Sequence, residues 1–117
     1  AYLKNHPAIE RHYYPFDPEF PQYELSKKQM TGACGLVTIA LKVDRYEQVE
    51  QFAKTLKHFL LAVSWGGHES LIMPKCAGLH PEEFDAKNLE HRLVRLYIGL
   101  EEVDYLIEDL SQALNSL

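Results

Sequence analysis

The stretch LVRLYIGLEEVDYLIEDLSQAL, residues 93–114, changes its period once. Leu93 to Ile98 is dense in β-branched, aromatic and aliphatic side chains and reads as a strand. Gly99 ends it. Glu101 and Glu102 suit the positive end of a helix that follows. From about residue 102 to 115, Val103, Leu106, Ile107, Leu110 and Leu114 share one stripe, the pattern of a helix lying on a core. A strand feeding directly into an amphipathic helix makes this an α/β chain, and the remaining segments fit around that unit.

Upstream, LVTIALKV (residues 36–43) alternates Val37, Ile39, Leu41 and Val43 with Leu36, Thr38, Ala40 and Lys42, which predicts a strand with one buried face. Asp44 is the expected N-cap of a helix from Arg45 to about His58, whose apolar side holds Tyr46, Val49, Phe52, Ala53, Leu56 and Phe59. Leu60–Val63 and Leu71–Met73 read as two short buried strands around the turn SWGGHE. Residues 80–90, HPEEFDAKNLE, read as a loop or a single helical turn. Pro21–Met30 reads as a short helix, with Pro21 at its first position and Lys27 and Lys28 at its end. The segment HPAIERHYYPFDPEFP (residues 6–21) holds four prolines and several aromatics, so residues 1–20 read as an irregular arm, packed on its own domain or crossing from a preceding one. Interleaved strands and helices of this kind imply a small open sheet covered by helices on one face.

A chain of 117 residues suits one domain with a modest core. The net charge of -5 argues against a nucleic-acid or anionic-membrane surface, either of which needs a basic patch. No apolar run approaches a membrane span, and no leader is visible. Cys34 and Cys76 stand far apart without paired spacing, which suggests free, buried thiols in a reducing cytoplasm.

Arg95 is the residue with the most chemistry to explain. On strand geometry it points away from Val94, Leu96 and Ile98, alongside Leu93 and Tyr97. A guanidinium there is costly unless paired or solvated. Either it stands on a wet sheet face or against an acid, or its fork receives a carboxylate or phosphate in two-point contact. Gly66-Gly67, after Ser64 and Trp65, allows a tight turn, and exposed N–H groups at such a turn can bind anions. His58, His68, His80 and His91 with Glu69, Glu82 and Glu83 lack the close helical spacing of a zinc site, and no metal is expected. A Cys–His nucleophile using Cys34 or Cys76 has no better support, and Cys34 reads as core.

Three stretches, PQYELSKKQMTGACG (21–35), SWGGHESLIMP (64–74) and LVRLYIGLEEVDYLIEDLSQAL (93–114), together resemble the C-terminal domain of the Cys/Met-metabolism enzymes that use pyridoxal phosphate, including cystathionine γ-synthase, cystathionine β-lyase and methionine γ-lyase. The resemblance implies an α+β domain: a small, mostly antiparallel sheet with helices on one face, like the small domain of fold-type-I transferases. Its open face would meet the large cofactor domain. Residues 21–117 would then be the substrate-carboxylate domain and 1–20 an arm or crossing segment. Arg95 corresponds to the family's arginine that clamps the substrate α-carboxylate. Ser64 corresponds to the serine assisting that clamp, and the backbone amide of Trp65 adds to it.

Two positions depart from the family pattern: Trp65 replaces the usual leucine, as in some bacterial cystathionine β-lyases, and Cys34 replaces a glycine. The family's cofactor lysine follows a Ser/Thr-x-x-Lys pattern that none of the eight lysines here matches. No catalytic or cofactor-binding residue is therefore expected in these 117 residues, which alone should be inactive. The implied whole is a cytoplasmic homo-tetramer of transsulfuration and methionine metabolism, a lyase or transferase with an amino-acid substrate. The alternative is a free-standing amino-acid-binding or dimerisation module derived from this domain.

Overall fold

In the computed structural model, which describes residues 1–117, the chain forms eight α-helices and strands. They are β1 (Ile9–Tyr13), α1 (Tyr23–Gln29), β2 (Leu36–Leu41), α2 (Tyr46–Thr55), β3 (Leu60–Leu61), β4 (Leu71–Pro74), β5 (Leu93–Tyr97) and α3 (Val103–Leu114). The strands form one sheet in the order β1-β2-β5-β4-β3. Three of its pairings are antiparallel and only β3 runs parallel to its neighbour β4. No helix is long and apolar enough to cross a membrane.

Alternation decides the two faces. Ile39, Leu41, Ile72, Val94 and Leu96 are wholly buried. Val49 and Phe52 of α2 and Leu106, Leu110, Ala113 and Leu114 of α3 pack into the same core. The opposite side carries the cross-strand row Thr38, Arg95 and Met73, each partly exposed. The molecule is thus a small α+β domain with a mostly antiparallel sheet and helices on one face.

Four local outcomes depart from the sequence reading. The arm contains β1, which pairs antiparallel with β2 at the sheet edge. Prolines at 7 and 15 bracket this strand without interrupting its ladder, the arrangement tolerated at an edge. Arg45 rather than Asp44 is the N-cap of α2. Gln48 Oε1 accepts from the backbone N–H groups of both Asp44 and Arg45, at 2.9 and 3.2 Å. Helix α2 stops at Thr55 because the next N–H groups find another acceptor. Asp109 of α3, itself buried, takes Lys57 N–H at 2.9 Å and His58 N–H at 2.8 Å. Cys76 is buried as expected, with burial raising its thiol pKa, but Cys34 is exposed because the chain from Met30 to Cys34 runs along the surface.

Removing the Asp109 carboxylate leaves those two donors without their partner. Asp109→Ala should cost about 2 kcal/mol, the scale of hydrogen bonds to a charged group. Urea unfolding would read it as a lower midpoint with unchanged slope.

The arm is held by a second carboxylate. Asp17 accepts from Glu19 N–H at 2.8 Å, and it lies 2.6 Å from His12 Nε2 and 3.2 Å from Lys4 Nζ. The Glu19 N–H bond, then the His12 contact and the Lys4 ammonium, hold its carboxyl far below the ordinary 3.8. A depressed carboxyl stabilises the fold above its ordinary pKa and loses that contribution as pH falls toward the lower folded value. Amide protection over residues 4–19, referred to the intrinsic exchange rate at each pH, should therefore hold at neutral pH and be lost as pH is lowered below 3.8, ahead of protection in β2 and β5.

Candidate carboxylate site

Arg95 occupies the middle of β5, which is flanked by β2 and β4. Its position opposite Thr38 and Met73 sends the side chain to the face away from the helices, as the alternation requires. No acidic side chain pairs with it. Instead Nη2 donates to the carbonyls of Val63 at 2.5 Å and Ser64 at 3.1 Å, with Ala62 O at 3.5 Å. Nε and Nη1 make no hydrogen bond within the chain. An open depression of about 440 Å³ is lined by Thr38, Met73, Pro74, Lys75, Leu93 and Arg95. The lining holds two cations and no acid. Lys75 is partly spent on Glu90 at 2.9 Å.

The turn after β3 wraps around this guanidinium. Ser64 meets Arg95 through its backbone carbonyl. Trp65, 58% exposed, makes no hydrogen bond to Arg95. Gly66 has φ +88°, a left-handed conformation that favours glycine. Because the carbonyls of residues 62–64 serve Arg95, the strand reaches only Leu61 instead of Val63. Leu60 and Leu61 face outward at the sheet edge, 49% and 64% exposed, instead of being buried as the sequence suggested.

Sequence reading missed the residues that hold the other end of the turn. Tyr97 Oη donates to Gly67 O at 2.9 Å. Ser70, completely buried, donates its N–H and its hydroxyl to the two carboxylate oxygens of Glu101, at 2.8 and 2.7 Å. The same hydroxyl accepts Gly99 N–H at 2.9 Å. Leu100 N–H reaches His68 O, also at 2.9 Å. A Cβ on Gly99 would collide with the His68 carbonyl and the Glu101 carboxylate, so the two segments can cross only at glycine. Burial opposes ionisation of Glu101, but the two Ser70 bonds and the nearby His68 outweigh it and lower its pKa. Glu101 is thus committed to the turn rather than to the start of α3, whose N-cap is Glu102. Gly99 two residues before an acid was the only sequence signal, and it does not name Ser70 as the partner.

Other candidates from the sequence do not converge. No group of three or more His, Cys, Asp or Glu side chains lies close enough to hold a metal ion. Cys76 is buried in the core and Cys34 lies on the surface. The lysines do not fit a pyridoxal Schiff base, which needs a desolvated amine. Seven are exposed, and Lys4 is paired with Asp17 and Glu19. No step through such a cofactor is assigned to these residues.

The chain is 41% identical over 120 residues to human cystathionine gamma-lyase, spanning 98% of this chain and 29% of that protein. It is 40% identical over 120 residues to L-methionine gamma-lyase of Porphyromonas gingivalis, spanning 99% of this chain and 30% of that protein. Cystathionine gamma-lyase of Dictyostelium discoideum is 40% identical over 118 residues, with 97% and 30% covered. The chain therefore spans less than a third of the length of these relatives. The family model for Cys/Met metabolism PLP-dependent enzymes matches residues 1–115. This chain belongs to the Cys/Met metabolism PLP-dependent enzyme family.

Proposed function

We infer that these residues form the substrate-carboxylate part of a pyridoxal-phosphate-dependent enzyme acting on sulfur amino acids. The observation that carries the reading is Arg95: a guanidinium in a middle strand that lines a depression containing no acid, with Nε and Nη1 unpartnered within the chain. A fork in that position suits the two oxygens of a carboxylate. Ser64 and Trp65, on the turn that Arg95 itself gathers, would close over the same group. The role of Arg95 is positioning. Fixing one end of the amino acid fixes which bond can be presented to the reacting centre. The electron-sink chemistry would belong to the cofactor, bound by a lysine outside these 117 residues.

The short coverage of these relatives supports a longer polypeptide; in it residues 21–117 would be the C-terminal small domain, with a large domain before it. The lyase names of the relatives support elimination of a sulfur-bearing or related group from cystathionine, methionine or a similar substrate. We place the whole enzyme in the cytoplasm as a homo-oligomer. These residues alone would not catalyse.

Two measurements test the reading. In the native enzyme Arg95→Ala should lower kcat/KM at least about tenfold, chiefly through KM, because two charge-assisted bonds are lost. Arg95→Lys should recover only part, since an ammonium lacks the fork. A kcat/KM that stays within about twofold would sink the assignment. The mass of the native polypeptide, captured from its source cells with an antibody to this chain, should be several times 13.5 kDa. A mass near 13.5 kDa would point instead to a free-standing amino-acid-binding module.

A further inference from the structure

We propose that Glu101 is a positioning residue for the carboxylate site, acting through Ser70 to set where the Ser64–Gly67 turn stands over Arg95. The proposal rests on the reading of Arg95 as a carboxylate receptor.

From Arg95 onward, alternate residues grip the same neighbouring segment. Arg95 holds the carbonyls of Val63 and Ser64, Tyr97 holds Gly67 O, Gly99 donates to Ser70 Oγ, and Glu101 holds Ser70. The alternation of β5 is thus continued beyond its last residue as a row of anchors at 95, 97, 99 and 101. Arg95 at one end of this row must also receive the ligand. Glu101 at the other end has no such duty, and both its oxygens are spent on Ser70. Between the two ends, residues 63–69 are exposed and lack core contacts of their own. Their position relative to Arg95 is therefore set by the anchors rather than by packing. Ser70 is the only member of the row's partners that is fully buried. Its hydroxyl, donating to Glu101 and accepting from Gly99, has its proton direction fixed by the carboxylate. Glutamine at 101 could still accept the Ser70 N–H, but its amide nitrogen would compete with Gly99 for the hydroxyl oxygen. Leucine at 101 would accept nothing.

The test uses the native polypeptide with Glu101→Leu, Glu101→Gln, Ser70→Ala and Arg95→Ala. Hydrogen exchange over residues 62–70 is compared with β2 and β5 as internal references. Affinity for L-methionine is read as KM where it is turned over and as Kd where it is not. Expected for Glu101→Leu and Ser70→Ala are exchange over 62–70 and a KM or Kd each raised about tenfold, the factor of one lost charged hydrogen bond, with kcat and the reference strands held. Glu101→Gln should recover part of both. If Arg95→Ala raises KM or Kd while Glu101→Leu leaves it within about twofold, the proposal is overturned and the Arg95 reading stands. If Glu101→Leu accelerates exchange in β2 and β5 as much as in the turn, Glu101 is a general stabiliser and the proposal is also overturned. If Arg95→Ala changes nothing, the carboxylate reading fails and this proposal falls with it.

Discussion

A guanidinium in the middle strand of a sheet has few ways to be satisfied. Arg95 has β2 on one side and β4 on the other, with Thr38 and Met73 as its cross-strand neighbours and no acid in reach. An unpaired cation there would cost several kcal/mol were it not hydrated or hydrogen-bonded. Backbone carbonyls from residues 62–64 supply part of what it needs. That arrangement bends the chain after β3 out of the sheet and over the open face. Nε and Nη1 remain without a partner in the chain, and Arg95 lines the depression. A site that is half satisfied internally is both held in place and receptive, whereas an internal carboxylate would hold it in place and close it.

The glycines make sense only against that arrangement. Gly66 supplies the one left-handed residue of the turn, and Gly99 lets residues 68–70 cross residues 99–101 at hydrogen-bond distance. Without the crossing, Glu101 could not reach Ser70, and only Arg95 and Tyr97 would hold the turn. The helix-bearing face imposes no such demands. It is a conventional apolar layer in which Phe52, Ile39 and Leu96 are closed off from solvent. The two faces of the same strands are therefore under different constraints: packing on one, directed hydrogen bonding on the other.

What could be read in advance follows the same division. Period-two alternation in residues 36–41 and 93–97 and the stripe of α3 report burial on one face, and burial is what side-chain type records. The orientation of Arg95 followed from its being out of phase with Val94 and Leu96. Anchors made by backbone groups leave no such trace. Nothing in the letters Ala62-Val63-Ser64 says that their carbonyls serve a distant arginine, and Glu101 looked like a helix-start acid because that is the commoner use of an acid there. The strand at Ile9–Tyr13 was hidden by its prolines, which mark an edge as readily as an irregular arm. Val103 sits on the apolar stripe yet is 66% exposed, since α3 begins there, clear of the sheet.

The strength of the proposed clamp depends on what lies outside the described residues. A guanidinium and a carboxylate about 4 Å apart gain only about 1 kcal/mol in bulk water, and several times that where water is thinned out. The neighbourhood of Arg95 is poorly shielded within this chain. Leu60, Leu61, Val63 and Trp65 are 49%, 64%, 72% and 58% exposed along the sheet edge next to it. Exposed apolar side chains there leave the turn open to water within this chain. A surface that covered them would also exclude water from the turn whose carbonyls hold Arg95. Burial of the edge and tightening of the carboxylate clamp are then one event, and carboxylate binding by the exposed chain should be weak for the same reason that its edge is apolar.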